Sequence, residues 1–189
     1  MANIDIIEAK KALRSTLVSQ LKAMEPEKKA ILDETILRRL EDLLQQISTN
    51  HVFCFVSSGH EIDTHILIDW LKNHGKQVSV PKIYREDMVA TRFIGWSKMQ
   101  TNQFGISEPI DRADTNADID ICITPGIGFT VRGERLGMGL GYYDKWFNKH
   151  PNILRIAPAY EFQIVTELPV ETHDIGVNII VTEDRIIRV

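Results

Sequence analysis

HVFCFVSSGHEIDTHILIDWLKNHGKQVSVP, residues 51–81, holds the pattern from which the rest of the chain can be read. HVFCFV (51–56) is a short apolar run of the kind buried on both faces of a sheet. SSGHEIDT follows as a loop, and Asp63 or Thr64 offers the side-chain oxygen that opens a helix ending near Gly75. QVSVP is a second strand, stopped at Pro81. A strand, a helix and a second strand in this order point to parallel pairing, because the helix carries the chain back before the next strand begins.

The same alternation extends outward. IDICIT (119–124) is a third buried strand, LRIAPAY and VNIIVT read as two more, and RIIRV closes the chain as a hairpin arm. MVATRFIGW reads as a strand, and the stretch around Gln103–Pro109 as an exposed loop. Upstream, Ala9, Leu13, Leu17, Leu21 and Met24 recur at helical spacing over residues 4–24. Pro26 suits the first position of a second helix that runs to about Ile47. The expected fold is α/β in three layers: a mainly parallel twisted sheet with helices on both faces, an N-terminal helical pair and some antiparallel edge strands. With 189 residues and no repeat, low-complexity tract or linker, a single domain spanning residues 1–189 is expected, since domains usually hold about 100–200 residues.

Composition narrows the function. A net charge of −4 argues against a sequence-independent nucleic-acid binder, which needs surplus Lys and Arg to neutralise phosphates. Cys54 and Cys122 lie in apolar segments and form no Cys-x-x-Cys pair, so they read as buried, reduced thiols of a cytosolic protein. The N-terminus MANIDIIEAKK is unlike a secretory signal. No apolar run approaches the ~20 residues that cross a bilayer. The histidines form no H-E-x-x-H motif, and no Ser–His–Asp arrangement is visible. A cytoplasmic monomer acting on a small molecule, with no nucleic-acid or membrane partner, is the expectation.

Ligands of such sheets settle beyond the carboxyl ends of the strands. Past the strand 119–124 the chain reads PGIGFTVRGERLGMGLGYYD, with Gly137, Gly139 and Gly141 at alternate positions before a short helix. Backbone N–H groups in such a loop, together with the helix dipole, can cradle an anion. Arg132 and Arg135 stand just upstream, and arginine grips phosphate oxygens through paired hydrogen bonds. The spacing is neither Walker A nor the G-x-G-x-x-G dinucleotide fingerprint, and a bare G-x-G-x-G also suits an ordinary tight turn. Asp144, in the first turn of the helix, either complements its dipole or holds a Mg²⁺ that bridges phosphate oxygens. Tyr143 falls on the core stripe of that helix, while Tyr142 is freer to face a ligand. Trp96 could pack in the core or line a ligand site. Lys10 and Arg14, four apart, share one flank of the first helix.

PGIGF followed by G-E-R-L-G-x-G-x-G-Y-Y-D resembles the 5-formyltetrahydrofolate cyclo-ligases, also called methenyltetrahydrofolate synthetases. The likeness covers nearly the whole chain: K-x-x-L-R at 10–14, E-I-D-T at 61–64, F-G-I-x-E-P at 104–109 and L-P-V-E-x-x-D at 168–174 fall in matching order. The resemblance implies closure of 5-formyltetrahydrofolate to 5,10-methenyltetrahydrofolate while ATP becomes ADP and phosphate. It implies ATP phosphates on Lys10 and Arg14, a nucleotide loop of Arg135, Leu136, Gly137, Met138, Gly139, Leu140, Gly141, Tyr142 and Tyr143, and Arg135 as the catalytic cation. Folate contacts fall on Val56, Glu61 and Met138 to Tyr142, and Mg²⁺ falls on Asp144 and Asp174. The resemblance also implies a folate substrate with or without a polyglutamate tail. Three positions depart from the usual pattern. Met138 replaces a tyrosine or basic residue, Thr130 an aspartate, and Gly176–Val177–Asn178 a Pro-Met-Asp. Two rivals stand beside this reading: a non-catalytic folate-binding relative, and a sugar-phosphate enzyme that reuses the loop on a related α/β scaffold.

Overall fold

The structure is a computed structural model that describes residues 2–102, 105–111 and 118–189. Two helices open the chain, α1 (Ala2–Lys22) and α2 (Pro26–Gln46), followed by β1 (His51–Cys54), α3 (Thr64–Asn73), β2 (Gln77–Tyr84) and β3 (Asp87–Arg92). A short hairpin, β4 (Met99–Thr101) and β5 (Ser107–Pro109), precedes β6 (Ile121–Ile123). A second small pair, β7 (Gly128–Phe129) and β8 (Arg135–Leu136), leads into α4 (Tyr142–Lys149). The chain ends with β9 (Leu154–Pro158), β10 (Ile179–Val181) and β11 (Ile186–Arg188).

The main sheet of the described residues has seven strands in the order β11-β10-β9-β6-β1-β2-β3. The five inner strands run parallel, with Val52 opposite both Val78 and Ile121. Both edges are antiparallel: β3 returns along β2, and β11 returns along β10 as the expected hairpin arm. Alternate side chains feed two cores, as a strand of period two requires. Val52, Cys54, Ile121 and Ile123 join Leu40, Leu44, Leu67 and Leu71 under α2 and α3, and Leu17 and Leu21 of α1 complete that layer. Phe53 and Cys122 point the other way, against Trp146 and Phe147 of α4. Helices therefore cover both faces.

Local signals act where the sequence places them. Pro26 opens α2, and Asp63 caps α3 by accepting from His65 N at 3.0 Å. Gly75, with φ of 73°, follows that helix in the left-handed conformation that glycine adopts most readily. One expectation is corrected. Ser107–Pro109 is a strand paired antiparallel with β4 rather than an exposed loop. It is held from outside its own hairpin, because Lys82 Nζ donates to the carbonyls of Pro109 and Ile110. Gln103 and Phe104, which belong to that expectation and to the F-G-I-x-E-P run, lie outside the described residues.

Strand order reverses beside β1: the chain steps outward to β2 and then returns to β6 on the other side. Such a reversal leaves a crevice at the carboxyl ends of the two strands. Phe55 and Val56 leave β1 there, Pro81 and Ile83 line the end of β2, and Pro125 follows β6.

Candidate active site

A cleft of about 590 Å³ occupies this crevice. Segments far apart in sequence enclose it: one face of α1, the loop after β1, residues of β2 and β3, the β4–β5 hairpin, the glycine-rich loop from β8 into α4, and a turn at 171–174. Ile7, Lys10 and Arg14 of α1 face it together, as residues three and four apart on a helix must. Gly128 lets α1 come this close, since a Cβ there would lie 2.7 Å from Leu17 Cδ1.

The glycine loop is draped over arginines. A Cβ on Gly137 would lie 2.9 Å from Arg135 Nη1, and one on Gly139 would meet Arg14 Cζ at 3.4 Å. Arg14 Nε donates to Gly137 O at 2.7 Å, which fixes the loop to α1. Gly139 has φ of +104°, a conformation that side chains rarely adopt. Gly141 starts α4 without a side-chain cap, so the first-turn amides of that helix are left for a ligand. Met138 and Leu140 stand at the tip, each 67% exposed, and put apolar surface at the mouth of the cleft.

Arg135 lies beneath the loop. Its side chain is 2% exposed, and Nη2 reaches Asp144 Oδ1 at 2.8 Å. Its guanidinium carbon sits 5.8 Å from the ring centres of both Tyr143 and Phe147. Asp144 Oδ1 also accepts from Ile175 N at 3.0 Å, which ties α4 to the segment that carries Asp174. Burial drives the Tyr143 phenol well above its ordinary pKa, so it stays neutral. Tyr143 packs against both cores as its place on the helix predicts, and Tyr142 packs against one.

Lys10 Nζ is held by two carboxylates, Asp174 Oδ2 at 2.6 Å and Glu171 Oε2 at 2.7 Å. Burial opposes its charge, but the hydrogen bonds to Asp174 and Glu171 prevail and hold its pKa above the ordinary lysine value. Across the cleft, burial raises the Glu61 carboxyl, while the backbone N–H and hydroxyl of Ser58, 2.8 and 3.2 Å from its Oε2, oppose that rise. Glu171, His173 and Asp174 bring one ligand atom each within 4.8 Å of one another. Such carboxylate oxygens suit a hard divalent cation. The donor chemistry of Asp174 therefore fits magnesium, whereas Asp144 is not in that group: its Oδ1 takes Arg135 Nη2 and Ile175 N, and it joins the Asp174 segment through Ile175.

All the residues that the resemblance places at the site line this one cleft: Lys10, Arg14, Val56, Glu61, Arg135 to Tyr143, Asp144 and Asp174. Arg132, read from sequence as a phosphate-gripping neighbour, does not line it. It sits on the turn between β7 and β8 and pairs with Glu134 at 3.0 Å. Trp96 is a packing residue, its ring tilted against His65 and edge-on to Phe93, and it donates to Asp69 at 2.9 Å. His65 Nδ1 contacts both Asp63 Oδ1 (2.8 Å) and Ser57 Oγ (3.2 Å). A catalytic triad needs the acid and the nucleophile on opposite ring nitrogens, so this group serves the helix cap.

A family model for the 5-formyltetrahydrofolate cyclo-ligase family matches residues 6–183. The chain belongs to this family. The 5-formyltetrahydrofolate cyclo-ligase of Escherichia coli K12 is 30% identical to it over 173 residues, 87% of this chain and 95% of that one. That of Mus musculus is 25% identical over 199 residues, 97% of this chain and 98% of that one. The solved structure of Aquifex aeolicus 5,10-methenyltetrahydrofolate synthetase superposes with a TM-score of 0.84 at 28% identity, covering 95% of this chain and 92% of that one. As a cyclo-ligase the chain is an enzyme of the ligase class, and its chemistry is that of folate one-carbon units. No helix of the described residues is long and apolar enough to cross a membrane.

Sequence reasoning assigned no role to Glu171 or His173, although both fall inside the L-P-V-E-x-x-D run. It also missed the apolar wall of Phe55, Ile83 and Met88, which no motif marks.

Proposed function

We propose that this cleft closes 5-formyltetrahydrofolate to 5,10-methenyltetrahydrofolate as ATP becomes ADP and phosphate. One observation carries the reading: residues expected to hold nucleotide, folate and metal, drawn from four separate segments, line a single cleft. A formyl amide oxygen is a poor leaving group, and transfer of the γ-phosphoryl of ATP to it supplies the activation. The folate N10 then attacks the formyl carbon, the oxygen departs with phosphate, and the departing phosphate takes up the N10 proton. No enzyme nucleophile is needed.

The protein's task is alignment and charge. Arg14 and Lys10 bring positive charge to the cleft from α1, and the free amides of the glycine loop and of α4 add donors. Arg135 is the cation beneath the loop. Its bond to Asp144 keeps that carboxylate turned toward the 174–175 segment, where Asp144 and Asp174 would hold Mg²⁺. Glu61, beside Val56, would accept from donor atoms of the pterin, and Met138 and Leu140 would close over the bound rings. Alignment of the formyl oxygen with the γ-phosphorus accounts for the rate without acid–base groups on the protein. We further propose that the chain works as a cytoplasmic, single-domain monomer, on folate with or without a polyglutamate tail.

The test is direct. The protein is mixed with 5-formyltetrahydrofolate and MgATP, and methenyl absorbance and ADP are followed together. Both should appear in step, and neither without the other substrate. Folate binding with no ADP would instead identify a binding protein, and turnover of a sugar phosphate without ATP would point to the other rival.

A further inference from the structure

We propose that Glu171 is a positioning residue: it anchors Lys10 in the cleft so that Asp174 can pass to the metal that accompanies the nucleotide. This rests on the reading above and adds a residue to it.

The ammonium of Lys10 faces two carboxylates at almost equal distance, 2.7 Å to Glu171 and 2.6 Å to Asp174. One positive charge cannot balance two negative ones, so the node keeps an excess of negative charge that draws a cation. The two acids are not equivalent. Asp174 Oδ2 is also bonded by the backbone N–H of Glu171 at 2.7 Å, and the Asp174 N–H returns to Glu171 O at 3.0 Å. The turn is thereby closed on Asp174, and its carboxylate is fixed beside Ile175, whose N–H binds Asp144. Asp174 is thus tied to the other expected metal ligand, whereas Glu171 Oε2 faces Lys10 Nζ at 2.7 Å and His173 Nε2 at 3.8 Å.

A metal ion on Asp174 and an ammonium on the same carboxylate repel at close range in a partly buried site. Lys10 must therefore leave Asp174 as the metal arrives. With Glu171 present it keeps an anionic partner and stays in the cleft, 8% exposed, ready for phosphate oxygens. Without Glu171 its one remaining carboxylate is Asp174, and lysine and metal compete for it.

The experiment measures metal binding apart from turnover. Mn²⁺ is titrated into the full-length protein in the presence of ADP, and free Mn²⁺ is read by electron paramagnetic resonance. Glu171→Ala should weaken Mn²⁺ binding by roughly tenfold, the scale of one charged hydrogen bond. Glu171→Gln, which keeps the shape and an acceptor oxygen, should fall between it and the wild type and also serves if the alanine variant fails to fold. In turnover assays the apparent KM for Mg²⁺ should rise by a larger factor than kcat at saturating Mg²⁺ falls, a split that general destabilisation does not produce. In a Lys10→Met background the Glu171→Ala change should no longer weaken Mn²⁺ binding, because the competitor is gone. Wild-type Mn²⁺ affinity in both Glu171 variants, or an equal loss in the Lys10→Met background, would overturn the proposal. A wild-type protein that makes no ADP and no methenyl product would overturn the catalytic reading instead, and the Mn²⁺ titrations would still judge Glu171.

Discussion

Replacing Arg135 with alanine removes a cation that is both beneath the glycine loop and paired with Asp144. The guanidinium is 2% exposed and its partner carboxylate 19%. Stranding one member of a fully buried pair costs about 3–5 kcal/mol. Asp144 keeps its bond from Ile175 N at 3.0 Å and is open enough to recruit water, so the cost falls at or below the bottom of that range. A loss of ~2–3 kcal/mol in unfolding free energy is expected, with Tm falling by about 4–12 °C for a domain of this size. Turnover should fall separately. A hydrogen bond to a charged group contributes ~1.5–3 kcal/mol, which converts to a loss of roughly 10–200-fold in kcat. The assay is ADP and methenyl release from enzyme held well below its new Tm, beside calorimetry of ATP binding. The double variant Arg135→Ala/Asp144→Ala separates the two effects, since it should recover part of the stability but none of the activity. Wild-type turnover and ATP affinity in Arg135→Ala would refute the role of Arg135. A double variant no more stable than Arg135→Ala would refute the claim that the cost lies in stranding Asp144.

Gly139→Ala forces a side chain into φ of +104° against Arg14, so it should raise the KM for ATP by about tenfold, from ~1–3 kcal/mol of backbone strain on an exposed loop. Its Tm, read by differential scanning calorimetry, should change little, because the exposed loop relaxes out of that conformation in the free protein and meets the strain only when ATP binds. Chelation of divalent cations by EDTA should abolish ADP formation, and Mg²⁺ should restore it; full activity in EDTA would remove the metal role of Asp144 and Asp174. His51 is 4% exposed, and burial holds its pKa below the ordinary 6.5 even though the Asp118 backbone and the Asp120 charge oppose the shift. Because the folded form resists the proton and the unfolded chain takes it, the contribution of His51 is complete above about pH 6.5 and is lost as the pH falls below that value. Urea melts at pH 7 and pH 5.5 should therefore differ less for His51→Gln than for the wild type.

Much of the fold and of the site was legible because periodicity and glycine spacing are local signals. HVFCFV and IDICIT had to be central strands, since each supplies both cores. Lys10 and Arg14 could be paired from their spacing, and the loop from its glycines. Contacts made across the chain were not legible. Arg132 and Arg135 look alike in sequence, three residues apart. The turn at Gly133 leaves the first with Glu134 at the surface and sends the second inward to Asp144. The β4–β5 hairpin is two strands of three residues each, anchored by Lys82 of β2, and no periodic pattern that short separates it from a loop. Glu171 lies 161 residues from the lysine it holds.

The departure at Gly176–Val177–Asn178 shows how such distant contacts fix the site. A Cβ on Gly176 would lie 2.4 Å from Gly133 O, and a Cβ on Gly133, whose φ is +81°, would lie 2.4 Å from Val177 O. Both obstacles are backbone atoms, which cannot swing aside as a side-chain tip can. Val177 N donates to Gly133 O at 2.8 Å across the same crossing. The two glycines thus let two main chains touch: the turn that leads into Arg135 and the segment that leaves Asp174. Thr130, another departure, closes that turn through a 2.7 Å bond to Glu134 Oε2. Arg135, Asp144, Ile175 and Asp174 therefore share a frame set by this crossing and by the Ile175–Asp144 bond. A proline at 176 would need a different approach of the chains, so the residues at 133 and 176 should vary together among relatives. Gly133 and Gly176 thus build the contact that keeps Arg135 and Asp174 at one cleft.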